Sequence, residues 1–200
     1  MMLLALRLLS LTLFVVGASQ FAIGMWIPAK AALAQVLLER AWQNTREGGQ
    51  RVRPWPWADT WPVARITVPR LGASWIVLSG ASGRTLAFGP GHTDGSALPG
   101  EPGAAIVSGH RDTHFASLRA LRVADEIIVE RPDRARIRYR VDDLRVADSR
   151  SARLRDPGIG RSLLLVTCWP FDALTAGGPL RFVASASADD VRPTDDESPR

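Results

Sequence analysis

Apolar and polar positions change rhythm three times along this chain. Leu8 to Ile27 are twenty consecutive uncharged positions, long enough as a helix to cross a bilayer. Arg7 flanks one end and Trp26 with Lys30 the other, the placement expected of interfacial anchors. A retained anchor is favoured over a cleaved signal peptide because the run exceeds the usual apolar region of about 7–15 residues. The cleavage alternative stays open, since Ala29-Lys30-Ala31 offers a small-x-small pattern. The flanking charges are balanced and leave orientation undecided. Ala32, Leu33, Val36, Leu37 and Ala41 then recur at helical spacing, which predicts a helix over 29–43 with Pro28 in its first turn. Residues 44–59, rich in Gly, Arg, Pro and Trp, read as a linker or wrapping segment, and Trp55, Trp57 and Trp61 are expected to cap the core.

From Val63 the pattern becomes short β-branched and apolar runs between Gly and Pro. It predicts strands at Ala64–Val68, Ser74–Leu78, Ala104–Gly109, Glu126–Glu130, Arg136–Asp148 with a bend, Leu163–Cys168 and Leu180–Ala186. That set implies an all-β barrel or sandwich. Phe88 to Gly103 is too rich in Gly and Pro for regular structure and is expected as an ordered loop, while Phe115–Leu121 suits one short helical turn. The polar, acidic end from residue 189 to 200 is expected to be a disordered tail. The organisation is therefore an anchor over 1–28, a juxtamembrane helix and linker over 29–62, a β-barrel over 63–188, and the tail.

Composition narrows the function. A hydrophobic content of 46% supports a real core, and the net charge of +5 raises the question of nucleic acid. Every basic residue but Lys30 is an arginine, and these are scattered without a nucleic-acid-binding motif. Arg136, Arg138 and Arg140 alternate with Ile137 and Tyr139 as the solvated face of a strand would. No nucleic-acid partner is expected.

Cys168, the only cysteine, ends the apolar run Leu163-Leu164-Leu165-Val166-Thr167. One thiol can form neither an internal disulfide nor a cysteine-rich metal site, so its candidate chemistry is nucleophilic. A free thiol is mostly protonated at neutral pH, and a nearby imidazole can activate it and later protonate a leaving amine. His110 and Arg181, each beside a strand-like segment, could complete an acyl-transfer site, with Arg181 on the developing oxyanion. His110 and His114 are four apart, but the glutamate of a zinc-peptidase helix is missing, so neither metal nor cofactor is expected. His92 and His114 are expected to fix loops or support the site. Asp112 either orients His110 through a carboxylate hydrogen bond or sits in a solvated turn.

These segments carry a resemblance. Leu164-Leu165-Val166-Thr167-Cys168 is similar to the T-L-x-T-C strand of sortases, matching at Leu165, Thr167 and Cys168 and departing at Leu164. Gly109-His110-Arg111-Asp112-Thr113-His114-Phe115 fits the family's G-H-R-x-T-H-F segment throughout, and Arg181 follows the cysteine at the family's interval. The chain resembles membrane-anchored cysteine transpeptidases over about residues 63–187. The resemblance implies a closed sortase barrel of about eight strands with short helical turns, in which Cys168 attacks the threonine carbonyl of an LPxTG-like motif. His110 would serve as general acid and then base, and Arg181 would align the motif and stabilise the oxyanion. Thr167 and Trp169 would contact substrate, and the loop from Trp169 to Pro179 would border the groove. The partners implied are a secreted protein with a C-terminal LPxTG-like motif and an amine acceptor in the envelope. The short, Arg- and Trp-rich chain looks most like the Gram-negative, proteobacterial branch, which implies a single-pass inner-membrane protein with a periplasmic barrel. Two alternatives stay open: a cysteine hydrolase using the same acyl-enzyme, and a non-catalytic peptide-binding β-module.

Overall fold

The structure is a computed structural model that describes residues 2–151, 160–173, 175 and 177–188; the expected tail over 189–200 lies outside them. The chain divides into two units, residues 1–37 and 38–200. Helix α1 covers Met2–Arg46 and contains Pro28. Pro28 lies inside this helix and not in the first turn of a separate one: the Ala- and Leu-rich turns after it are strong helix formers, and they carry the helix across the one hydrogen bond that proline forgoes. Within Leu9–Arg46 the helix is long and apolar enough to cross a membrane. In the first unit Lys30 Nζ sits 5.0 Å from the centre of the Trp26 ring.

In the second unit eight strands close a barrel: β1 (Pro62–Val68), β2 (Ala73–Ser79), β3 (Gly91–His92), β4 (Gly103–Ser108), β5 (Glu126–Glu130), β6 (Arg136–Asp148), β7 (Arg161–Cys168) and β8 (Leu180–Ala188). Their order around the barrel is β1-β2-β3-β4-β7-β8-β6-β5. Closure leaves no free edge. Every pairing is antiparallel except β2 with β3 and β4 with β7. The bend in β6 is a register shift between Val141 and Asp143 against β8. A short helix, α2 (Gly83–Leu86), and a 3-10 turn at Ala116–Ala120 lie in the connections.

Period-two alternation builds the core. Ala64, Ile66 and Val68 from β1, Ala105 and Val107 from β4, Leu163 and Leu165 from β7, and Phe182, Ala184 and Ala186 from β8 share one buried cluster. The end of α1 is part of the same unit. Leu38 and Trp42 are fully buried, Glu39 pairs with Arg65 at 2.6 Å, and Arg46 pairs with Glu130 at 3.0 Å. The tryptophans expected as caps behave differently from one another. Trp55 meets Phe88 edge-on at 4.8 Å, Trp61 lies 5.1 Å from the Arg51 guanidinium, and Trp57 caps nothing, being 82% exposed.

Candidate active site

Strand parity decides which side chains meet. Leu163 and Leu165 point into the barrel, so Cys168 lies on the outer face of β7. Phe182 and Ala184 point inward on β8, which puts Arg181 on the outer face as well, directly opposite Cys168 in the antiparallel register. β4 runs parallel to β7 with Ser108 beside Val166, and the Gly109 amide extends the ladder to the Val166 carbonyl at 3.1 Å. Two residues beyond those partners stand His110, just past the end of β4, and Cys168, the last residue of β7. The thiol, the imidazole and the guanidinium are thus carried at or just past the neighbouring ends of three adjacent strands. Cys168 is a free, half-buried thiol and His110 is exposed.

The residue before each of these two groups ties them together. Thr167 is 2% exposed, and its hydroxyl donates to the Gly109 carbonyl at 2.7 Å. The single proton of the Thr167 hydroxyl thus holds the His110 segment against the Cys168 strand. Gly109 is needed there because a Cβ would come within 2.8 Å of the Phe115 ring.

Arg181 Nη1 donates to the carbonyls of Gly178 and Leu180, at 2.8 and 2.9 Å. Asp148 is held down to about 2, chiefly by hydrogen bonds from the Arg150 side chain and backbone, with the charge of Arg181 adding to the effect. Asp148 was no sequence candidate; its register opposite Leu180, next to Arg181, is what brings it in.

Trp169 is half-buried in an aromatic group with Phe171 at 5.7 Å, edge-on, and Phe182 at 6.3 Å, stacked; Arg119 lies over Phe171 at 5.6 Å. These residues, with Leu121 and Leu144, line an open hollow of about 680 Å³ beside the end of β7. His92 is buried at 6% exposure and meets the Ala97 carbonyl at 2.9 Å and Ser96 Oγ at 3.0 Å, so it fixes its own loop. His114 is pushed below the ordinary histidine value, first by burial and then by the charge of His110. Asp112 is exposed and makes no hydrogen bond among the described residues, which places it in a solvated turn. Arg111 is the group that sequence reasoning passed over. At 8% exposure it donates from Nη2 to the carbonyls of Ala173, at 3.0 Å, and Thr175, at 2.8 Å. It was visible only as one letter of a motif, with no pattern that marked it as buried.

The sequence profile described as the Sortase domain matches residues 66–189. Sortase D of Bacillus subtilis (strain 168) is 26% identical over 124 residues, a match spanning 59% of this chain and 59% of that protein. The chain thus aligns with less than two thirds of that relative's length. Among solved structures, sortase C-1 from Actinomyces oris superposes with a TM-score of 0.56 at 27% identity, covering 65% of this chain and 75% of that one. A sortase D5 transpeptidase from Clostridium perfringens gives 0.62 at 20% identity, covering 79% and 99%. A lid mutant of sortase A from Corynebacterium diphtheriae gives 0.60 at 24% identity, covering 82% and 97%. The last two likenesses speak for the fold alone.

Proposed function

This chain belongs to the sortase domain family, and on that premise we propose that it is a cysteine transpeptidase with Cys168 as nucleophile, His110 as general acid–base and Arg181 as oxyanion stabiliser. The observation that carries the reading is that Cys168 and Arg181 face each other across β7 and β8, with His110 just past the end of the adjacent strand β4. Cys168 passes its thiol proton to His110 and its Sγ attacks the threonine carbonyl of an LPxTG-like motif, so that negative charge gathers on the carbonyl oxygen beside Arg181. The tetrahedral intermediate collapses as the C–N bond breaks, with His110 giving a proton to the departing amine. A thioester remains. An incoming primary amine attacks it, His110 takes the amine's proton, and Cys168 leaves with a new amide formed. Hydrolysis follows the same path with water as acceptor, so the acceptor alone separates transpeptidase from hydrolase.

The substrate is a secreted protein ending in such a motif, and the acceptor is an amine of the cell envelope. The apolar stretch of α1 anchors the chain in the cytoplasmic membrane with the barrel outside the cytoplasm. The finer assignment, a Gram-negative branch with a periplasmic barrel, rests on the Arg- and Trp-rich composition alone. Trp169 and the hollow it lines are offered as part of the substrate-facing surface.

The test uses the full chain in detergent with a peptide containing an LPxTG-like motif, with and without triglycine, followed by mass spectrometry. An acyl adduct on Cys168 and a ligated product are expected, both lost in Cys168→Ala and His110→Ala. Arg181→Ala should lower kcat by about 10²–10³-fold, the cost of removing an oxyanion donor. Release of the free acid alone in the presence of amines would replace the transpeptidase reading with a hydrolase. An unreactive Cys168 with every motif tried would favour the non-catalytic module.

A further inference from the structure

Arg111 is a buried cation whose hydrogen bonds, among the described residues, all run in one direction. Both protons of Nη2 go to carbonyls that follow the nucleophile, those of Ala173 and Thr175. Among the described residues Nη1 is buried with no partner, and no carboxylate pairs with the guanidinium. Arginine stays charged at any working pH, and burying it beside two carbonyls while leaving one nitrogen unmet is a poor way to stabilise a core. An apolar side chain of similar shape would fill the space at lower cost. What the arginine supplies that such a residue cannot is position.

Its place in the chain gives that position a meaning. Gly109, the residue before His110, is held by Thr167, the residue before Cys168. Arg111, the residue after His110, holds Ala173 and Thr175, which come after Cys168. His110 is bracketed by two ties to the strand and loop that carry the thiol.

We propose that Arg111 is a positioning residue for the acyl transfer: its buried guanidinium fixes the Ala173 and Thr175 backbone against the His110 segment and so sets the wall that meets the peptide substrate. The proposal rests on the transpeptidase reading for the word substrate, but the tether itself can be read without turnover. Arg111→Met keeps the bulk and removes both donors, whereas Arg111→Lys keeps several protons on one nitrogen.

In the full chain in detergent, hydrogen–deuterium exchange of the peptide carrying Ala173 and Thr175 should accelerate about tenfold in Arg111→Met and return near the parent rate in Arg111→Lys. With an LPxTG-like peptide, KM should rise about tenfold in Arg111→Met and only a few-fold in Arg111→Lys, because a misplaced binding wall weakens capture. Alkylation of Cys168 by iodoacetamide, which needs no wall, should stay within about twofold of the parent in both variants. Parent-like exchange and KM in Arg111→Met would overturn the proposal. So would faster exchange spread through β4, β7 and β8 together with altered alkylation in both variants, the signature of a merely structural arginine. A parent chain that forms no acyl-enzyme would remove the transpeptidase reading, and the exchange rates would then decide the tether alone.

Discussion

Thr167 and Cys168 are adjacent in the chain and opposite in duty, because one faces the core and the other the outside. The Thr167 hydroxyl bonds the Gly109 carbonyl out of water, so deleting it leaves that carbonyl unmet. Thr167→Val, nearly the same shape, should cost about 1–3 kcal/mol in urea unfolding, while Thr167→Ser, which keeps the donor, should lose about half as much or less. His114 provides a pH handle. Burial and the nearby His110 hold it below the ordinary value, so the unfolded chain takes up a proton near pH 6.5 that the folded chain refuses until the pH is lower. Stability contributed by this group is complete above that pH and falls as the medium is acidified from about 6.5 toward the folded value. Urea midpoints measured at neutral and mildly acidic pH should drop less in His114→Gln than in the parent protein.

At the level of elements, seven of the eight strands stand where alternating or β-branched runs place them, with ends shifted by a residue or two. β3 was not legible: Gly91-His92 is two residues inside a Gly- and Pro-rich stretch, and only its pairing with β2 and β4 makes it a strand. The parallel partnership of β4 and β7 leaves no local trace either, since pairing is set by contacts between segments far apart in the chain. Cys168, His110 and Arg181 stand out as candidates in the sequence because reactive residue types sit beside strand-like runs. Arg111 does not, because a charge in a turn ordinarily means solvent, and its burial is decided by a loop more than sixty residues away, from Arg111 to Ala173 and Thr175. Asp112 shows the reverse: a residue with the right chemistry for orienting a histidine that the turn directs into solvent. The end of α1 was read as a juxtamembrane helix, and its turns from Leu38 to Arg46 instead belong to the barrel's unit.

For the whole molecule, that last point moves the practical boundary of the folded unit from the first strand back to residue 38. A chain beginning at residue 38 should fold and unfold cooperatively in water. One beginning at residue 57 loses Leu38, Trp42 and the Arg46–Glu130 pair, and should be less stable by at least the roughly 3–5 kcal/mol of a large buried aromatic deleted. Thermal unfolding of the two chains followed by circular dichroism compares them directly; equal midpoints would mean that the helix end contributes nothing to the barrel.

The order of strands has a consequence of a different kind. β7 and β8 form one hairpin that enters the barrel between β4 and β6, and it brings the thiol and the guanidinium together, while the imidazole stays on the part of the chain that precedes it. Severed between β6 and β7, each piece would carry only part of the proposed site. That site would be whole again only when the hairpin found its slot, so the barrel contains the plan of a coincidence detector, complete only when its two halves are brought to the same place.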